Sequence, residues 1–175
     1  MTNFALSRPG PGEFPEHFGK YVEQVAGSDV LEALRGQIRE TVATLREVSE
    51  EASLARYEVG KWSLREVVGH LIDTERIMAY RALRIARADR TPLPGFDQDG
   101  YIVAAGFDGR EWGGLIDEFE LVRRANLPLF EGLSEEAWGR TGISNGKEIT
   151  VRALAYVIAG HEVHHMRIVR ERYLS

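Results

Sequence analysis

Four stretches of this chain repeat apolar side chains at three- and four-residue intervals, and no comparable set repeats with the two-residue period of a strand. In the first, Leu31, Leu34, Ile38, Val42, Leu45 and Val48 follow Ser28, a favourable helix N-cap; Gly36 interrupts the pattern only weakly. The second opens at Ser63 with Glu66 three residues on, the signature of a capping box. It continues through Leu64, Val67, Val68, Leu71, Ile72, Ile77 and Met78 to about Ala88. The third is expected near Asp108, with Glu111 as its matching residue and Trp112, Leu115, Ile116, Phe119, Val122 and Leu127 on its apolar side; Pro128 is expected to kink it or begin its ending. The fourth starts at Thr150 and runs toward Tyr173 with Val151, Leu154, Ala155, Ile158, Ile168 and Val169. Four long amphipathic helices imply an all-α four-helix bundle.

The connecting segments divide the chain into an arm and a body. Residues 1–27, rich in Pro and Gly, read as an extended N-terminal arm with at most a short helical turn, and residues 28–175 as one bundle domain. Phe4, Phe14, Phe18 and Tyr21 suggest that the arm lies on the body. The Gly-rich loop 91–109 is long enough to carry function and has room for a helical turn near Tyr101; Ser144-Asn145-Gly146-Lys147 favours a tight turn, with a small hairpin as one outcome.

Composition narrows the function. There is no cysteine, which removes disulfides, thiolate-bound zinc and cysteine nucleophiles and fits a cytoplasmic setting. Net charge is −5 with both signs interspersed, so a nucleic-acid partner is not expected. No apolar run approaches the roughly 18–20 residues that cross a bilayer, and Met1–Gly12 does not read as a signal peptide, so no membrane association is expected.

The histidines carry the chemistry. Of His17, His70, His161, His164 and His165, three fall within five residues of one another. On a helix, residues four apart lie about 40° apart around the axis and about 6 Å apart along it, so His161 and His165 project from one face. His164 points about 60° away from His161 and about 100° from His165, which leaves it at the edge of any compact site. Two imidazoles are half of a metal site, and His70, among apolar residues on the second helix, is the best third ligand.

Around these three, Thr74 lies one turn after His70 and could donate to it, while Asp73 or Glu75 could orient an imidazole but fits a solvated face better. Asp97, Asp99 and Tyr101 could line the mouth of the site. Arg152 is expected on the polar side of the last helix and Tyr156 in the core.

Residues 161–165 also satisfy the H-E-x-x-H pattern of zinc peptidases, in which the Glu is the general base. A third ligand downstream is missing. An uninterrupted helix carries Glu171 about 9 Å along the axis from His165, and Ile168 stands where a glycine turn would be needed. Protease chemistry is therefore disfavoured.

Two segments resemble a known family. Lys61-Trp62-Ser63-Leu64-Arg65-Glu66-Val67-Val68-Gly69-His70-Leu71 and His161-Glu162-Val163-His164-His165 are similar to the paired motifs of the DinB/YfiT-like superfamily of metal-binding four-helix bundles. The likeness spans about residues 28–173, and the segments Arg8-Pro9-Gly10-Pro11 and Pro94-Gly95-Phe96-Asp97 look nearest to its YfiT branch.

The resemblance implies one divalent ion (zinc, nickel or iron) on His70, His161 and His165, with His164 as a non-ligand. It also implies a homodimer and a small-molecule substrate. The implied activity is thiol S-transfer, with a low-molecular-weight thiol such as bacillithiol, mycothiol or glutathione activated at the ion. The alternatives are a metal-dependent hydrolase using water at the same site, or a non-catalytic metal-binding stress-response protein.

Overall fold

The computed structural model describes residues 6–27 and 29–175. In chain order the helices and strands are α1 (Gly19–Val22), α2 (Val30–Arg46), α3 (Leu64–Ala86), α4 (Gln98–Ala105), α5 (Trp112–Glu131), α6 (Glu135–Gly139), β1 (Thr141–Ser144), β2 (Lys147–Thr150) and α7 (Val151–Arg172). The four long helices α2, α3, α5 and α7 form the bundle. None of the described helices is long and apolar enough to cross a membrane.

Their starts show where local chemistry governs and where it does not. The Ser63–Glu66 capping box opens α3, Ser63 Oγ accepting the Glu66 N–H while Glu66 accepts the Ser63 N–H. Thr150 caps α7 by accepting the Ala153 N–H at 3.1 Å. The expected cap Ser28 lies outside the described residues; Asp29 caps α2, its carboxylate accepting from the N–H groups of Leu31 and Glu32.

The α5 start differs from expectation. Asp108 sits in a 3-10 turn and accepts from Ser63 Oγ and from Arg56, while Glu111 occupies the N-cap without a side-chain bond. The first N–H of α5, that of Trp112, has no partner within the helix and donates to Glu50, remote in sequence, at 3.1 Å. Pro128 does not end α5 at once. The helix runs three residues further, to Glu131, so the proline removes one N–H from the closing turn without breaking it.

Loop 91–109 contains more helix than one turn, namely α4 and a 3-10 turn at Phe107–Gly109. Asn145 and Gly146 both adopt positive φ, as a tight two-residue turn requires, and pair β1 with β2 antiparallel. Leu93 adds a bridge to Ser144, which brings Gly95 and Phe96 beside the hairpin tip. Arg152 lies buried rather than on a polar face, clamped to Glu13 of the arm, because the arm covers the start of α7. Phe14, Phe18 and Tyr21 pack on the body as expected, Phe4 lies outside the described residues, and Val22 and Val25 enter the core.

The interior is two apolar clusters separated by a polar layer. One cluster gathers Leu34, Met78, Ala82, Phe130, Trp138 and Tyr156; the other gathers Leu45, Val68, Ile72, Trp112, Phe119 and Met166. Thr41, Glu162, Arg123 and Glu75 form a buried hydrogen-bonded chain across α2, α7, α5 and α3, and His70 and His161 are buried on α3 and α7.

Candidate metal centre

α3 and α7 pack together, so His70, near the start of α3, meets His161, at the middle of α7. His70 Nε2 and His161 Nε2 are 3.0 Å apart, and one nitrogen from each of His70, His161 and His165 lies within 4.8 Å of the others. The three residues singled out by helix geometry are thus brought together.

Both His70 and His161 are buried and His165 is half-buried. Burial pushes His70 down to about 4. Burial, then the neighbouring His70 and His164 and Lys20, push His165 down to about 3. Burial and the same crowding of basic groups, led by His165 and His70, hold His161 well below its ordinary value. At neutral pH all three rings are uncharged and carry lone pairs.

The donor set fits a divalent ion. Ring-nitrogen contacts run among the imidazoles themselves, and no carboxylate belongs to the cluster. Tetrahedral coordination at metal–nitrogen distances of about 2.0–2.1 Å places neighbouring nitrogens about 3.3 Å apart, within side-chain adjustment of the spacing here. Thr74 Oγ1 lies 3.4 Å from His70 Nδ1. In the tautomer that donates Nδ1–H to that oxygen, Nε2 faces the cluster with its lone pair free. Trp62 packs on His70 at 4.9 Å between ring centroids, and Tyr21 meets His161 edge-on at 5.3 Å.

Two glycines explain how the covering elements come so close. A Cβ on Gly160 would lie 1.9 Å from the Tyr21 carbonyl oxygen, so α1 can seat on α7 only because residue 160 is glycine. A Cβ on Gly69 would meet the Phe107 ring at 2.4 Å. Each glycine directly precedes a site histidine. A glycine within a helix costs about 1 kcal/mol relative to alanine, which was the available sequence signal.

The other expected residues sort clearly. Glu162 does not face the histidines: Oε1 accepts from Thr41 Oγ1 at 2.6 Å and Oε2 from Arg123 at 2.8 Å. Glu75 is neither solvated nor bonded to an imidazole, because Arg123 binds both of its oxygens at 2.7 and 2.8 Å. Asp73 is half-buried on α3 and faces Arg76, Arg110 and Glu118. Asp97 caps α4. His164 meets Tyr21 and His165 edge-on, and its Nδ1 is buried with no hydrogen-bond partner among the described residues. Tyr101 lines a neighbouring groove that shares Arg81, Gly95 and Phe96 with the cleft at His70.

Among the described residues, two clefts that share no lining residue reach the cluster. One, of about 240 Å³, touches His70 and His161 and is bordered by Lys20, Tyr21, Arg81 and Lys147. The other, of about 280 Å³, touches His165 and is bordered by Tyr57, Trp62, Asp99 and Tyr173. Tyr173 donates its hydroxyl to the Trp62 carbonyl at 2.6 Å, and burial pushes its phenol up to about 12, so it stays a donor. Sequence reasoning placed Asp99 at the mouth but overlooked Lys20, Arg81, Lys147 and Tyr173.

A helical bundle with three neutral imidazoles converging between two of its helices, open from two clefts, defines a histidine-centred bundle protein. The chain belongs to the DinB superfamily, whose sequence profile matches residues 33–169. It is 29% identical over 143 residues to a protein of Oceanobacillus iheyensis named "Putative metal-dependent hydrolase", covering 80% of this chain and 79% of that one. A Bacillus licheniformis protein of the same name is 26% identical over 157 residues, covering 80% and 83%. Among solved structures the chain is similar to YfiT from Bacillus subtilis, described as "a probable metal-dependent hydrolase with an unusual four-helix bundle topology". The TM-score is 0.68 at 19% identity, over 93% of this chain and 91% of that one, a likeness of fold.

Proposed function

We propose that His70, His161 and His165 hold one divalent metal ion and that the protein is a metal-dependent transferase joining a small thiol to an electrophilic small molecule. The observation that carries this reading is the pair of separate clefts meeting at one set of neutral imidazoles. A transferase must bring two molecules to one point, and two entrances of different chemistry suit that task.

A bound divalent ion supplies positive charge that lowers the pKa of a thiol or water brought to it. The three imidazoles stay neutral and add no charge of their own, so the ion's charge is not offset by its ligands. Thr74 holds the His70 ring orientation. Trp62 and Tyr21 exclude water from the faces of His70 and His161. The thiol proton leaves to solvent through the open clefts as the new carbon–sulfur bond forms and the electrophile's leaving group departs. Zinc, nickel and iron all accept imidazole nitrogen, so availability selects among them.

Hydrolysis at the same centre is the second reading, favoured by the names of the two curated relatives. Here water takes the place of the thiol, and one cleft suffices.

The test begins with metal content by mass spectrometry on untagged protein, wild type beside His70→Ala. About one equivalent of metal in wild type, lost in the variant, is expected. Thiol-dependent consumption of a fluorogenic alkylating electrophile should then vanish with a chelator and in His161→Ala. Turnover that survives both treatments overturns the mechanism, and turnover without any thiol decides for hydrolysis.

A further inference from the structure

Four arginines are buried among the described residues, and three of them have carboxylates: Arg65 with Glu50, Arg123 with Glu75 and Glu162, and Arg152 with Glu13. Arg81 is 4% exposed and has none. Its Nη2 donates to the Pro94 carbonyl at 2.6 Å, its Nη1 rests on the weak acceptor Met78 Sδ at 3.4 Å, and its guanidinium lies 5.7 Å from the centre of the Phe96 ring. A guanidinium presents five N–H donors and stays charged in proteins, so this one keeps both charge and donors uncommitted. Burying a cation without an anion is costly, and a site that binds an anion has reason to retain it.

The position is specific. Arg81 borders the cleft that reaches His70 and His161. It lies eleven residues after His70 on α3, about 20° around the axis and about 16 Å along it, so both project from one face of one helix. Side chains lean toward the helix N-terminus, which tilts Arg81 toward the histidines. The same cleft is bordered by Lys20 from α1 and Lys147 from the hairpin, and among the described residues no Asp or Glu lines it, although the chain as a whole carries 27 acidic against 22 basic residues. The hairpin tip is held at the cleft by the close fit of Asn145 on Gly95, where a Cβ would lie 2.4 Å from Asn145 Oδ1.

We infer that Arg81, aided by Lys147 and Lys20, forms an anion-binding subsite that seats a carboxylate or phosphate of the substrate at the far end of this cleft from the histidines. The inference rests on the proposed function for the identity of the reacting end. It names the substrate class: an elongated small molecule whose acidic group is remote from the atom that reacts. A bidentate guanidinium–carboxylate or guanidinium–phosphate contact fixes orientation as well as affinity, so it would set which end enters first.

The subsite can be tested apart from the metal. Succinate, inorganic phosphate and the neutral analogue succinamide are titrated by calorimetry and by amide chemical-shift mapping into protein stripped of metal and dialysed free of chelator, and into zinc-loaded protein. At least one of the two anions should bind the stripped protein with shifts centred on Arg81 and Asn145, and succinamide should not; which anion binds more tightly identifies the acidic group. Arg81→Gln should weaken binding by about tenfold, the loss expected for a charge-assisted bond. Lys147→Gln changes an exposed side chain and should weaken binding about two- to fivefold by removing nearby charge, whether or not the Arg81 variant folds.

Binding of neither anion to stripped wild-type protein overturns the subsite, as does equal affinity in wild type and a folded Arg81→Gln. If Arg81→Gln does not fold, unchanged affinity in Lys147→Gln overturns it. A wild type that holds no metal yet binds the anion would sink the proposed chemistry and leave the subsite standing.

Discussion

Replacing Arg123 by Met should cost more stability than any substitution at the histidines. The guanidinium is 1% exposed and bridges two carboxylates that are themselves 4% and 2% exposed. It makes two bonds to Glu75, one to Glu162 and one to the Leu34 carbonyl at 3.1 Å, tying α5 to α3, α7 and α2 at once. Met fills similar volume without the charge and leaves Glu75 and Glu162 facing each other in an apolar surround. Breaking a buried pair by removing one member costs about 3–5 kcal/mol. For a domain of this size each kcal/mol lowers Tm by about 2–4 °C, so a fall of roughly 6–20 °C is expected. Urea titration of metal-free protein, with the slope unchanged and the midpoint lowered, separates this from any loss of bound ion. The triple variant Arg123→Met, Glu75→Gln, Glu162→Gln removes the stranded charges and should recover more than half of the loss. A single variant that loses less than about 1 kcal/mol, or a triple variant no better than the single, would refute the reasoning that charge burial sets the cost.

Two further perturbations probe the arm. Gly160→Ala places a methyl where the Tyr21 carbonyl oxygen now sits, and neither backbone can yield cheaply; a loss of about 1–3 kcal/mol is expected in urea, with faster proteolysis in residues 10–27, and wild-type behaviour in both assays counts against close seating of α1. Glu13 holds the arm to α7 through Arg152 and Thr150. Burial raises its pKa, but hydrogen bonds from Arg152 and the Gly10 N–H outweigh that and leave it lowered. A carboxylate lowered on folding stabilises above its unfolded value and loses the contribution as pH falls through the folded one, so the Tm difference between wild type and Glu13→Gln should be present at pH 7 and fade below about pH 4.5. A difference that grows on acidification would contradict it.

The long helices were legible because their apolar period and local caps are written in adjacent residues. Ser63 with Glu66 and Thr150 each carry their bond within three positions. The start of α5 was not legible: its first N–H is satisfied by Glu50, sixty-two residues earlier, and Asp108 is drawn to Ser63 and Arg56. The same distinction holds at the site. His161 and His165 were readable as a pair because one helix fixes their spacing, and His70 followed from its apolar neighbours. The cation-lined cleft was not, since Lys20, Arg81 and Lys147 come from three elements whose juxtaposition depends on tertiary packing.

The pattern His161-Glu162-Val163-His164-His165 shows why a motif's chemistry depends on what faces it. In a peptidase the glutamate must present a free oxygen to water beside the metal. Here both oxygens of Glu162 are occupied, by Thr41 of α2 and Arg123 of α5, and the side chain is 2% exposed. One turn of α7 therefore serves two purposes on two faces. His161 and His165 meet His70 of α3, and Glu162 anchors the helix to the opposite half of the bundle through an ion pair removed from water. Because Glu162 and His161 are consecutive, that anchor also fixes the depth at which the His161 ring enters the cluster. Glu162 is thus a positioning residue. If the proposed ion sits on the three histidines, Glu162→Gln should leave its identity unchanged in metal analysis by mass spectrometry while speeding its loss to a chelator; a wild-type rate of loss would contradict the positioning role.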